Sequence, residues 1–256
     1  MTDSHTPDRL ELAAFLDFPD VRRGDFLPRL VVESAGSNDI TFAEHDILVI
    51  AQKVISKAEG RSRLLSDVVP SGKAIDLASK AGKDPRIVEL ILQESVSVVR
   101  HTNNLIITEN RLGIVMANAG IDQSNIEEGY ALLLPEDPDS SASAIRDYIE
   151  VNCGCKVGVV IADSIGRAWR NGIIGHAIGV AGIKALLDLR GTIDRHGREL
   201  SVTEVAIADE IAAAGSMLMG QAAEGKPVVL IRGFRNICGT SGARSLLRSR
   251  ELDLFR

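Results

Sequence analysis

The sequence predicts an α+β fold. Three observations lead there: short apolar runs closed by turn residues, segments that open on helix-capping residues, and no steady βαβα beat of a doubly wound sheet. With 256 residues, 45% of them hydrophobic, the chain is long enough for one large domain or two small ones around a packed core. Its 23 glycines, 8 prolines and 4% aromatics suit a loop-rich enzyme better than a fibre or a disordered tail.

Taken in chain order, the first strand is expected from Ile47 to Ala51, an unbroken apolar run. Ser71 caps a helix whose apolar stripe is Ala74, Leu77, Ala78 and Ala81, with Gly82 as its stop. Asp84 caps the next helix, Pro85 takes its first position, and Ile87, Leu90 and Ile91 form its apolar face. Strands follow from Leu105 to Thr108 and from Gly113 to Ala117. Asp139 or Ser140 starts a helix with Ile145, Tyr148 and Ile149 on one face, and Lys156 to Ala162 is a buried strand. Ser201-Val-Thr-Glu204 is a capping box ahead of Val205, Ala208, Ile211 and Ala212, with Gly215 and Gly220 near the helix end. Met217, Leu218 and Met219 read there as core packing, and Val228 to Arg232 is a last strand.

Two segments read as neither helix nor strand: Ala117 to Asn125, and Asp163 to Gly172 continuing through Gly175, Gly179 and Gly182. Both come straight after buried strands, where a rigid base and glycine let a ligand approach the backbone.

Charge and targeting signals exclude several classes. A net charge of −6 argues against bulk affinity for nucleic acid or an anionic membrane. The polar start, Met1 to Leu10, lacks a secretory pattern, and no apolar run approaches the ~20 residues of a membrane span. Three cysteines, two of them in Cys153-Gly-Cys155, fit reduced thiols in a cytoplasmic protein better than a disulfide frame or a zinc site.

No P-loop, dinucleotide fingerprint or HExxH is present. Asp122 and Asp163 are the carboxylates of interest, each just past a strand and followed by Gln123, Ser124 and Asn125 or by Ser164. Two such loops brought together supply what Mg²⁺ or Mn²⁺ requires, namely one or two carboxylates with neutral oxygens, waters and substrate phosphates. The alternative is that Asp122 opens an Asx-turn and Asp163 caps the following segment. Ala162-Asp-Ser164-Ile-Gly166 also resembles a nucleophile elbow lacking its first glycine, with His176 and His196 downstream, which would make a serine hydrolase. Arg232, Arg235, Arg244, Arg248, Arg250 and Arg256, with Arg167, Arg170 and Lys57, are candidates to clamp an anionic substrate, or else a solvated basic tail. Gly220 to Gly225 has the polarity of a ligand-facing loop.

Four ordered stretches, Leu48 to Gly60, Asn118 to Asn125, Ala162 to Gly172 and Ala177 to Gly182, resemble the coenzyme F420-0:L-glutamate ligase family, and Glu251 to Phe255 is also similar. The resemblance implies mixed and antiparallel sheets with packed helices in two intertwined subdomains, forming a single ligase domain over 1–256 with no appended flavin-reductase-like domain. It implies a cytoplasmic homodimer that uses GTP to add L-glutamate, then γ-linked glutamates, to coenzyme F420-0. It further implies Mg²⁺ or Mn²⁺ and a monovalent cation, K⁺. Carried over position by position, Asp122, Asp163, Ser164 and Gln221 would hold divalent metal. Phe18, Pro19, Asp20, Val21, Gln52, Lys57, Asn125 and the loop Met219, Gly220, Gln221, Ala222, Ala223, Glu224, Gly225 and Lys226 would meet GTP. The family's usual Pro-Gly-Asp-Asp-Leu is replaced here by Arg23-Gly-Asp-Phe-Leu27. Amide synthesis from a carboxylate needs an activated leaving group, and phosphoryl transfer requires positioning and charge neutralisation but no protein nucleophile. Asp122, Asp163 and Lys57 are accordingly the expected catalytic set.

Overall fold

The computed structural model describes residues 9–234 and 238–254. In chain order, β1 (Glu11–Ala14) leads to α1 (Leu27–Ser37), β2 (Ile47–Ala51), α2 (Gln52–Ala58) and β3 (Ser62–Leu64). Next come α3 (Gly72–Ala81), α4 (Pro85–Gln93), β4 (Ser95–Thr102), β5 (Leu105–Asn110), β6 (Val115–Ala117), β7 (Tyr130–Leu132) and α5 (Pro138–Cys153). Then follow β8 (Gly158–Arg167), β9 (Arg170–Ala181), β10 (Leu187–Asp188), β11 (Glu204–Val205), α6 (Ile207–Met219) and β12 (Val228–Arg232).

Five strands form the central sheet in the order β1-β12-β2-β8-β9. β2 and β8 run parallel, and the other neighbours are antiparallel. This is the mixed α+β arrangement the sequence predicts. On one face Leu48, Ile50, Val159 and Ile161 pack with Val31, Ala35, Ile145 and Ile149 of α1 and α5. On the other, Val49, Val160, Ala162 and Val229 pack with Ala208, Ile211 and Ala212 of α6. Burial on both faces explains why β2 and β12 are unbroken apolar runs rather than alternating ones. A separate apolar cluster joins α3 and α4 to Ile106 of β5, Ala131 of β7 and Leu133. It supports the antiparallel sheet β4-β5-β6 and the β3–β7 pair.

Local signals decide several ends. The Ser71 hydroxyl accepts from the Ala74 N–H at the start of α3, and Gly82 ends it at φ 62°, a left-handed conformation that favours glycine. Asp84 caps α4 through the Arg86 N–H, with Pro85 at its first position.

Other expectations are corrected. Ser201 to Glu204 forms no capping box: Glu204 and Val205 pair with Asp188 and Leu187, so strand pairing takes the residues that a cap would need. α6 starts at Ile207 after Ala206, which makes no side-chain cap, and its first turn carries Asp209 and Glu210, the favourable sign for that end. Gly215 lies inside α6, and Gly220 is the residue that ends it. α5 is capped by Asp137, which accepts from the Ser140 N–H at 3.0 Å. Asp139 instead turns to accept from the N–H groups of Val180 and Ala243. Met217 is 82% exposed and Leu218 is also exposed, so of that trio it is Met219 that packs on the core. The glycine-rich stretch from Asp163 is not irregular but the continuation of β8 and nearly all of β9, a hairpin hidden from the sequence by its glycines. The elements β1, α1, α2, β3, β4 and β7 had no sequence expectation at all. Of the residues singled out from sequence, Arg235, Phe255, Arg256 and the stretch 1–8 lie outside the described residues.

Candidate functional site

The parallel register pairs Ala51 with Ala162, so β2 and β8 end side by side. The residues that follow are Gln52, the first of α2, and Asp163. The buried Gln52 side chain hydrogen-bonds Asp163, and its Oε1 accepts from the Ser56 hydroxyl at 2.8 Å. Asp122 arrives from the second layer, held by a lone antiparallel bridge to Leu132, with N–H to carbonyl bonds of 3.0 and 2.8 Å. Its carboxylate accepts from the Ser124 N–H at 2.7 Å, the Asx-turn that its sequence context allows. Lys53 places its Nζ 2.7 Å from Asp122 Oδ2.

The two carboxyls feel each other. Burial, with the charge of Asp122 beside it, pushes Asp163 up to about 7 against the opposing pull of the Ser164 N–H, Lys53 and Gln52. Burial acts on Asp122 too, but the Lys53 ammonium and the Ser124 N–H outweigh it and hold that carboxyl below its ordinary value. One acid of the pair is therefore ionised and the other is short of positive charge.

Above them opens a cavity of about 450 Å³. Phe18, Pro19, Asp20 and Val21 form part of its wall, as do Gln52, Lys53 and Lys57 of α2. Asp163 and Ser164 of β8 and Gly175 of β9 also line it. Asn125 and the loop Met219, Gly220, Gln221, Ala222, Ala223, Glu224, Gly225 and Lys226 form a further part of the wall. Asn125 donates to the Ala222 carbonyl at 2.9 Å, and Glu224 accepts from the Ala222 N–H at 2.8 Å, which ties the loop across the opening. Asp122 is absent from the wall itself and reaches it through Lys53.

Ser164 is not an elbow nucleophile. An elbow is a sharp strand-to-helix turn, whereas Ser164 lies within a strand that runs on into a hairpin, paired with Gly175. His176 pairs with Asp209 at 3.2 Å, and His196 sits in the loop 189–203 between β10 and β11. The described arginines do not gather at the cavity. Arg232 holds Asp46, Arg250 holds Glu109, Arg244 lines a separate cavity, and Arg167 and Arg170 face each other across the hairpin. The sequence reading missed Lys53. Its signal was the spacing of Lys53 and Lys57, one turn apart in a helix starting straight after a buried strand.

Among the described residues no group of three or more His, Cys, Asp or Glu side chains forms a metal cluster. Asp163, Ser164 and Gln221 line the cavity and Asp122 lies near enough for its charge to act on Asp163; the carboxylate, hydroxyl and amide oxygens of these four are all hard donors. That donor set, with one carboxyl lacking a counter-charge, fits Mg²⁺ or Mn²⁺ bound partly through substrate phosphates and waters.

Residues 16–233 match the model of the family described as F420-0:Gamma-glutamyl ligase. The chain is 44% identical over 240 residues to the coenzyme F420:L-glutamate ligase of Methanothermobacter thermautotrophicus, covering 93% of this chain and 95% of that one. It is 47% identical over 240 residues to the enzyme of the same name from Methanopyrus kandleri, covering 92% and 93%. Against the one from Methanocaldococcus jannaschii it is 50% identical over 211 residues, covering 82% and 84%.

Proposed function

The chain belongs to the F420-0:gamma-glutamyl ligase family, and from that premise we propose that it joins L-glutamate to the lactyl carboxylate of coenzyme F420-0 at the expense of GTP. Further glutamates follow through γ-linkages. The observation that carries the reading is the meeting of Asp122, Lys53 and Asp163 beside a cavity walled by Lys57 and the 219–226 loop.

Each residue then has a task. Asp122, Asp163, Ser164 and Gln221 hold divalent metal, which when bound neutralises phosphate charge. Lys57 and Lys226 face the nucleotide phosphates, while Asn125 keeps the 219–226 loop over them. Phe18 to Val21 and Gln52 line the nucleotide's other side. The γ-phosphoryl passes to the acceptor carboxylate, forming an acyl phosphate and releasing GDP. The glutamate amine attacks that carbonyl, phosphate leaves, and the amide remains. No protein nucleophile is needed, in keeping with the strand conformation of Ser164. K⁺ and a homodimeric assembly belong to the same proposal. Among the described residues no helix is long and apolar enough to cross a membrane. The proposed substrates are small molecules.

Incubation with GTP, Mn²⁺, K⁺, L-glutamate and coenzyme F420-0 tests this. The expected products are GDP, phosphate and an acceptor heavier by one glutamyl unit. GTP binding without glutamate-dependent phosphate release would leave a non-catalytic GTP-binding dimer. Fluorophosphonate labelling of Ser164, with turnover independent of GTP and metal, would mark a serine hydrolase instead.

A further inference from the structure

The first two residues of α2 each engage one of the two carboxyls. Gln52 hydrogen-bonds Asp163 and Lys53 binds Asp122. The Lys53 ammonium has three donors, and three oxygens of the 122–124 turn surround it. These are Asp122 Oδ2 at 2.7 Å, the Ser124 hydroxyl at 2.6 Å and the Ser124 carbonyl at 3.4 Å. Its positive charge is felt at Asp163 as well. The ammonium thus occupies the Asp122 carboxylate as a cation would, and its charge reaches the second carboxyl through space.

We propose that Lys53 is the built-in counter-ion of the metal site. It holds Asp122 in place while metal is absent and yields the carboxylate when a divalent cation arrives. The proposal rests on the metal reading of Asp122 and Asp163 given above. An ammonium and a divalent ion on the same Asp122 carboxylate repel each other, so a metal ion that takes this carboxylate weakens the Lys53 contact and favours its release. The ion pair is neither deeply buried nor free in water, with side-chain exposures of 27% and 34%, so the exchange is affordable. Once released, the flexible Lys53 stem keeps its ammonium on the wall of the same cavity, beside Lys57 and facing whatever anion enters.

Mn²⁺ titration of the nucleotide-free protein, followed by the paramagnetic resonance of free Mn²⁺, tests the exchange on wild type, Lys53→Met and Asp122→Asn. Lys53→Met should tighten Mn²⁺ binding by about fivefold, the gain from removing a competing ion pair of this exposure. A residue that merely shaped the turn would weaken binding when lost. Independently of any variant, limited acylation of wild-type Lys53, read by peptide mass spectrometry, should rise several-fold when Mn²⁺ is added. Unchanged or weaker Mn²⁺ binding in Lys53→Met, or Lys53 labelling that ignores Mn²⁺, overturns the counter-ion role while binding that still depends on Asp122 leaves the metal site standing. If Asp122→Asn binds Mn²⁺ as wild type does, the metal reading itself fails and the counter-ion role falls with it.

Discussion

Gly175 of β9 lies directly against the carbonyl of Ala212 in α6, so closely that a Cβ at this position would run into that oxygen. The same glycine pairs with Ser164 across the hairpin and forms part of the cavity wall. Absence of a side chain here lets the helix seat on the sheet beside the site.

Gly175→Ala should therefore push α6 away from β9. Overpacking of this kind costs about 1–3 kcal/mol, and because α6 leads into the 219–226 loop, nucleotide affinity should fall together with thermal stability. Calorimetry and GTP titration of the variant check this. Wild-type values for both would mean that the contact relaxes without strain.

Asp163→Asn should cut GTP- and glutamate-dependent turnover by orders of magnitude and alter its dependence on Mn²⁺, as expected for a carboxylate in contact with the metal. Turnover near wild type with unaltered metal dependence removes Asp163 from the site.

Lys57→Met should mainly weaken GTP binding. Lys57 lines the cavity wall one helical turn beyond Lys53, so the loss falls on the nucleotide rather than on the fold. An unchanged dissociation constant for GTP takes it out of the nucleotide contacts.

The raised Asp163 carboxyl gives metal-free protein a signed pH dependence. Folded, it titrates at about 7; unfolded, it titrates near about 3.9. Between those values the folded chain binds the extra proton, so stability falls as pH rises through the window and the full cost is present above it. Asp163→Asn should flatten that fall, gaining stability over wild type at about pH 8 but not at about pH 4. Urea denaturation in chelator measures it. Parallel pH profiles for the two proteins would refute the account.

Arg232→Met should cost about 3 kcal/mol in urea denaturation, since it leaves a buried carboxylate with the Ala43 N–H but no counter-charge. Asp46 is 1% exposed and accepts from Arg232 at 2.8 and 2.6 Å, bracing β12 against the loop that enters β2. A loss below about 0.5 kcal/mol would show that water reaches Asp46 without it.

Both ends of α3 and the bounds of β2 and β12 were legible in the sequence. A serine cap, a left-handed glycine stop and an unbroken apolar run are decided within a few neighbouring residues. Asp122, Asp163 and the 219–226 loop stood out because polar residues follow apolar strands there, and because their order resembles a family. The β8–β9 hairpin did not stand out. Its glycines at 175 and 179, which look like loop residues, are there to admit Ala212 and Pro138, a need set by partners remote in the chain.

The sequence alone thus determined the α+β class and the better-capped helices, since each of these depends on local propensity and pattern, and it singled out the two acids as candidates. Tertiary structure decided that the acids meet, through the parallel pairing of Ala51 with Ala162 and the lone bridge of Asp122 to Leu132. It also decided that Lys53, rather than a distant arginine, pairs with Asp122. Charges interact through space, and spacing along a chain does not say which of them the packing of two apolar layers will bring within reach.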